Sequence, residues 1–161
     1  RIGVIGIELK ETPELVSEDL RKSIVLISNT LTLAQLRLLY GAADAYVSPY
    51  RAEGFNLPVI EAIACGTPVI VTAGGATDDF CSVQTAHRIA SRKVDNDAAG
   101  IPGTGYHMEA DSDDLVRLMA LALSAAGPTP MGEAAFEAGR TRLIERYSWE
   151  CCARQLAHLM M

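Results

Sequence analysis

The sequence lacks any apolar run of the roughly eighteen residues that a bilayer-spanning helix needs. It is also short of cations: 14 Lys and Arg stand against 20 Asp and Glu, for a net charge of −6. That balance argues against a general nucleic-acid binder, because phosphate contacts need clustered Lys and Arg. A small anionic ligand held by backbone amides stays compatible with it. Cysteines are few and badly spaced for metal: Cys65, Cys81, Cys151 and Cys152 form no CxxC, so no metal site is expected. Adjacent cysteines make a poor disulfide and no signal peptide precedes them, so a reduced, cytoplasmic chain is the expectation. Aromatic residues, at 6%, are too scarce to build a core, whereas a 49% hydrophobic share points to aliphatic, small-residue packing of the α/β kind. There is no internal repeat and no low-complexity segment. The opening at Arg1, without Met and directly in an apolar run, suggests a piece of a longer protein. At 161 residues the chain suits one domain with a sizeable core.

What is present alternates between strand and helix patterns. Arg1 to Ile7 and Ser23 to Ser28 read as buried strands, separated by a charged stretch in which Pro13 stands near the start of a short helix. Thr32 and Gln35 have capping-box spacing before a helix with Leu33, Leu36, Leu39 and Tyr40 on one side. Ala45 to Ser48 and Val69 to Val71 are further strands, and Ala86 to Ser91 reads as a short fifth. The βαβαβαβ order implies a parallel sheet with right-handed crossovers. Residues 92–110 show no clear period and read as a long loop. Asp111 and Asp114 open an amphipathic helix with Leu115, Leu118, Met119, Ala122 and Leu123 on one face. A helix over Gly132 to Tyr147, weakened by Gly139, and a last one from Trp149 to Met160 capped by Ser148 complete the chain.

The centre of the sequence is Tyr46 to Thr72, YVSPYRAEGFNLPVIEAIACGTPVIVT, a strand, a polar loop, a helix and a strand. Pro58 suits the first helical position, and the helix stops at Gly66. A helix N-terminus carries free N–H groups and partial positive charge, so it favours an anion. Asn56 and Leu57 can offer such groups and Pro58 cannot, while Gly54 permits close approach of a ligand. Glu53 and Glu61 can each accept hydrogen bonds from sugar hydroxyls. A phosphate flanked by sugars would use all of these together. On spacing alone, two ordinary acids near a helix start explain the pattern equally well.

The segment EGFNLPVIE resembles the E-x7-E motif of retaining, family-4 type glycosyltransferases (group 1) with the GT-B fold. LYGAADAYVSPYRAEGFNLPVIEAIACGTPVIVT resembles the family's helix, strand, motif and strand in order. GGATDDF resembles its next loop, and Tyr147-Ser148-Trp149 the motif opening its late helix, so the likeness runs from about Leu31 to Leu159. It implies a Rossmann-like parallel sheet flanked by helices, the C-terminal half of a GT-B fold. Residues 1–161 would form part of the donor-binding domain, without the acceptor-binding N-terminal domain. The donor implied is a nucleotide-diphosphate sugar, with no cofactor and no metal. Glu53 would contact the donor sugar in the catalytic role, Glu61 the ribose hydroxyls, and amides around Gly54, Phe55, Asn56 and Leu57 the sugar and phosphate.

Two departures qualify the match. The family often has glycine where this chain has Asn56. Its basic pair for the diphosphate lies on an earlier strand–helix unit, for which no counterpart precedes Arg1. In a sheet of order 3-2-1-4-5-6 the central strand would then be missing, and a truncated domain, poorly active or inactive alone, is expected. The acceptor, whether sugar, lipid or protein, and any peripheral membrane association would belong to regions outside this chain.

Other residues carry weaker expectations. Arg51 is placed either against a phosphate or in solvent, and His107, beside Glu109 and Asp111, is expected to be a surface histidine. Gly103-Thr104-Gly105 is not a dinucleotide fingerprint. Asp78 and Asp79 are explained by turn chemistry, and Cys65 is expected as a buried small hydrophobe. A nucleotide-sugar-binding or interaction module without turnover, or another GT-B enzyme such as a nucleotide-sugar epimerase, are the competing readings.

Overall fold

A computed structural model describes residues 2–5, 17–96, 103, 105–124 and 127–160. They belong to two units, Arg1–Gln35 and Leu36–Met161. In the first, β1 (Ile2–Ile5) pairs in parallel with β2 (Ile24–Ile27), Ile2 opposite Ile24. The helix α1 (Glu18–Ser23) runs directly into β2. Pro13, together with Arg1, Gly6 and Ile7 of the expected first strand, lies outside the described residues. The capping box forms as its spacing predicts: the Gln35 side chain accepts from the Thr32 N–H at 2.9 Å, and Thr32 Oγ1 accepts from the Gln35 N–H at 3.3 Å. It starts α2 (Leu33–Gly41), of which Tyr40 is buried and Leu36 partly so, while Leu33 at the exposed start does not join their face.

The second unit is built on the parallel ladder β3 (Tyr46–Ser48), β4 (Val69–Thr72), β5 (Ala86–Ile89), in that spatial order. β4 is central and all four of its residues are buried, as a strand covered on both faces must be. Its alternation serves two cores. Val69 and Val71 meet Val59, Ala62 and Ile63 of α3 (Leu57–Ala64), with Phe136 and Leu143 of α5 (Glu133–Tyr147). Ile70 meets Ile89 with Leu118 and Ala122 of α4 (Ser112–Ala122) on the other side. Leu123, predicted on that apolar face, is the C-cap of α4 and is exposed, because the helix ends before it can turn inward.

The stretch expected as a loop over 92–110 contains two strands. β6 (Ser91–Asp95) and β7 (Tyr106–Ala110) form an antiparallel pair with Arg92 opposite Glu109 and Val94 opposite His107. Its residues are largely polar, so no apolar alternation marked it. Asp111 caps α4 by accepting from the Asp114 N–H at 2.9 Å. Ser148 ends α5 and caps α6 (Trp149–Leu159), accepting from the Cys151 N–H at 3.2 Å. Gly139 lies buried in α5 because a Cβ there would come within 2.8 Å of Thr85 Cγ2. Among the described residues the strands form three ladders, β1–β2, β3–β4–β5 and β6–β7.

Candidate functional site

The loop after β3 and the turn after β4 emerge at the carboxyl ends of parallel strands, where open α/β sheets place their ligands. A cleft of about 350 Å³ lies there, lined by Glu53 and Arg51 of the first loop and by Gly74 and Gly75 of the second, with His107 and Met108 of β7. Glycine is required at both turn positions. Gly74 has φ +81° and its missing Cβ would sit 2.6 Å from Met108 Cε; at Gly75 a Cβ would lie 2.5 Å from the Tyr50 hydroxyl. Tyr50 joins the two loops: its hydroxyl is 2.8 Å from Thr77 Oγ1 and accepts from the Thr77 N–H at 3.2 Å. Thr72 Oγ1 donates to the Tyr50 carbonyl at 2.8 Å. Asp78 accepts from the Gly74 N–H at 3.1 Å and pairs with Arg88, the turn role expected of it.

Asn56 makes the entry into α3. It is the one non-glycine residue with positive φ among the described residues, at φ 69° and ψ 61°. This is the left-handed region where asparagine is the tolerated substitute for glycine. The glycine-to-asparagine departure therefore keeps the backbone turn and adds a contact, the Asn56 side chain donating to Ser48 Oγ at 3.0 Å. Helix α3 begins at Leu57, so Pro58 is its second residue instead of its first. No side chain caps this N-terminus and its first turn holds no acid. An anion can therefore approach its amides without displacing a protein carboxylate. The Phe55 ring turns away into a cluster with Phe80 and Tyr147, at centroid distances of 4.9 and 6.0 Å.

The two acids do not share one pocket. Exposed Glu53 lines the glycine-loop cleft, whereas Glu61, in the second turn of α3, lines an apolar groove of about 390 Å³ with Phe55, Leu57, Ile144, Tyr147 and Trp149. Tyr40 was not foreseen as a site residue: its hydroxyl donates to Glu61 Oε2 at 3.4 Å. Burial, reinforced by the Glu61 carboxylate, pushes the Tyr40 phenol up, keeping it a donor. Burial, with Glu53 and then Glu61 adding to it, raises Tyr46 as well, which places both carboxylates in the field of one β3 side chain.

Arg51 is engaged. Its guanidinium forms a two-bond pair with Glu109, both distances 3.0 Å, and its carbonyl accepts from the Met108 N–H at 2.8 Å. The bond to Arg51 holds the Glu109 carboxyl below its usual range. His107 lies between Glu109, at 3.4 Å, and Asn96, whose Oδ1 is 2.8 Å from its Nδ1, and its side chain is 20% exposed instead of lying free on the surface. The sequence sets His107 beside Glu109 but does not signal their link to Arg51, because the hairpin that brings them together has the composition of a loop. Cys65 is partly buried against the core. Among the described residues no group of three or more His, Cys, Asp or Glu could hold a metal ion, and no helix is long and apolar enough to cross a membrane.

A parallel sheet with helices on both faces and an open cleft at the strand ends defines an α/β domain, the architecture in which small ligands are commonly held at that end of the sheet. The comparisons narrow this class. The family model for "Glycosyl transferases group 1" matches residues 2–101, and the chain belongs to that family. It is 28% identical over 144 residues to an MMP alpha-(1->4)-mannosyltransferase of Mycolicibacterium hassiacum, covering 89% of this chain and 30% of that protein. It is 29% identical over 137 residues to an alpha-maltose-1-phosphate synthase of Mycobacterium tuberculosis, covering 84% and 31%. Among solved structures it is similar to sucrose-phosphate synthase from Thermosynechococcus elongatus, with TM-score 0.65, 25% identity, and 88% of this chain against 30% of that one. A glycosyltransferase from Rickettsia africae shares the fold, with TM-score 0.69 at 20% identity over 98% and 38% of the two chains. The chain thus spans about 30% of the length of these curated relatives.

Proposed function

We propose that this chain is part of the donor-binding half of a hexosyltransferase, which takes a nucleotide-diphosphate sugar and supports retaining glycosyl transfer. The observation that carries the reading is the uncapped N-terminus of α3, entered through left-handed Asn56, beside a cleft lined by Glu53. In this scheme Glu53 contacts the donor sugar, amides from Gly54 to Leu57 meet sugar and phosphate, and Glu61, oriented by Tyr40, accepts from the ribose. The electrostatic task is to stabilise charge developing on the leaving diphosphate. Helix amides do part of it, basic side chains of a further strand–helix unit do the rest, and neither a metal nor a cofactor takes part. The acceptor is bound by a second domain. A cytoplasmic setting, with any membrane association peripheral and through other regions, accompanies this reading.

Calorimetric titration with a panel of nucleotides and nucleotide sugars tests it. Glu61→Ala is expected to weaken nucleotide-sugar binding roughly tenfold or more, as loss of a bond to a charged group does. Binding of none of the panel by the folded chain, and by a longer chain carrying it, would sink the reading and favour an interaction module.

A further inference from the structure

The loop that carries Glu53 is fastened at its ends and open in the middle. At its far end Asn56 is tied to Ser48. At its near end the hairpin β6–β7 grips it twice, through the Met108 N–H on the Arg51 carbonyl at 2.8 Å and through the two bonds of Glu109 to the Arg51 guanidinium. Between these anchors Ala52, Glu53 and Gly54 are exposed, and no hydrogen bond of theirs occurs among the described residues. A Cβ on Gly54 would touch nothing within 4 Å, so packing does not hold the segment either. With Tyr50 already held through its carbonyl by Thr72 Oγ1, Arg51 is the last fixed point before Glu53, and the place of Glu53 in the cleft depends on what holds it.

We propose that Glu109 is a positioning residue, which clamps Arg51 to the β6–β7 hairpin and so fixes the loop that presents Glu53. Alternation along β7 sends Met108 toward the glycine turn and turns His107 and Glu109 to the opposite face, where His107 lies 3.4 Å from Glu109 and braces it. The clamp joins residues 58 positions apart, so it closes only when the hairpin has docked beside the parallel sheet. It also gives Arg51 a role: the Nε–Nη2 edge of its guanidinium is committed to this carboxylate, which makes it a fastening for the loop. The functional consequence rests on the donor-site reading above; the clamp itself does not.

The experiment follows the Met108 amide by NMR hydrogen exchange in the wild-type chain and in Glu109→Ala, Glu109→Gln, Arg51→Ala and the double alanine variant. Each is first shown to be folded by circular dichroism. Exchange is expected to quicken roughly threefold to fivefold in either alanine variant, the modest effect of an exposed pair, with Glu109→Gln between. The double variant should be no faster than the single ones, because both remove the same link. Donor affinity, read with UDP-glucose and GDP-mannose, should fall by a similar factor in both single variants. An unchanged Met108 exchange rate in Glu109→Ala overturns the proposal. So does donor binding that is lost in Arg51→Ala but kept or tightened in Glu109→Ala, since that would give Arg51 to the phosphate. If neither nucleotide sugar binds the wild-type chain while Met108 exchange responds as expected, the clamp stands and the donor reading falls.

Discussion

Asn56 holds a conformation that most side chains resist, and its surroundings make the cost worthwhile. The left-handed backbone makes the turn from the loop into α3, and the bond to Ser48 satisfies a buried amide side chain. Asn56→Ala is expected to lose about 1–2 kcal/mol from the backbone alone, with the bond to Ser48 lost in addition. Asn56→Gly keeps the turn and should cost less. Urea unfolding of the two variants separates them, and equal losses would mean that the side-chain bond, not the backbone, is what matters. Tyr40 offers a second lesson at this scale. It is buried in a helix 21 residues before Glu61, yet it supplies the donor that orients that acid.

The elements are held at their joints by single capping groups. Asp114 is the clearest: its Oδ2 accepts from the Ala90 N–H at 2.7 Å, fastening α4 to the one residue that separates β5 from β6. That bond, followed by Arg117, lowers the Asp114 pKa from 3.8. A depressed folded-state value means the stabilisation is present above pH 3.8 and lost as pH falls through the folded value. The melting temperature of wild type should thus drop more steeply in that acid range than that of Asp114→Asn, and parallel curves would contradict the assignment. Joints of this kind were legible in the sequence. Thr32 with Gln35, Asp111 with Asp114 and Ser148 are local chemistry, readable from spacing. The strand after Pro68 was equally plain, because a strand buried on both faces is a nearly unbroken apolar run. The β6–β7 hairpin was not, since Arg92, Lys93 and Asp95 give it the composition of a loop and its partner Arg51 lies some forty residues earlier. The cleft was half legible for the same reason: the motif loop and glycine turn are separated by only one helix and one strand, and the wall facing them comes from the hairpin.

At the scale of the unit Leu36–Met161, β4 is the organising strand, with one core on each of its faces. The strand beside it is less complete. Tyr46 donates to the Pro68 carbonyl at 2.9 Å, so alternation turns the Val47 N–H toward the edge away from β4. The strand–helix unit proposed to supply the basic pair would add its strand at that edge. In a longer chain that contains it, Val47 exchange should slow roughly threefold to tenfold relative to the 161-residue chain, since an edge amide gains a ladder bond. Equal rates in the two would place the added strand elsewhere.

Trp149, the only tryptophan in the sequence, stands 91% exposed at the mouth of the apolar groove beside Glu61. That makes it a built-in optical probe with an unusual blind spot. Its emission in the folded chain should already be that of a hydrated indole, so denaturation will barely move it. Whatever closes over the groove, by contrast, will dehydrate the ring and shift the fluorescence to the blue. A titration can thus report covering of that groove in real time, without a label and without confusion from partial unfolding.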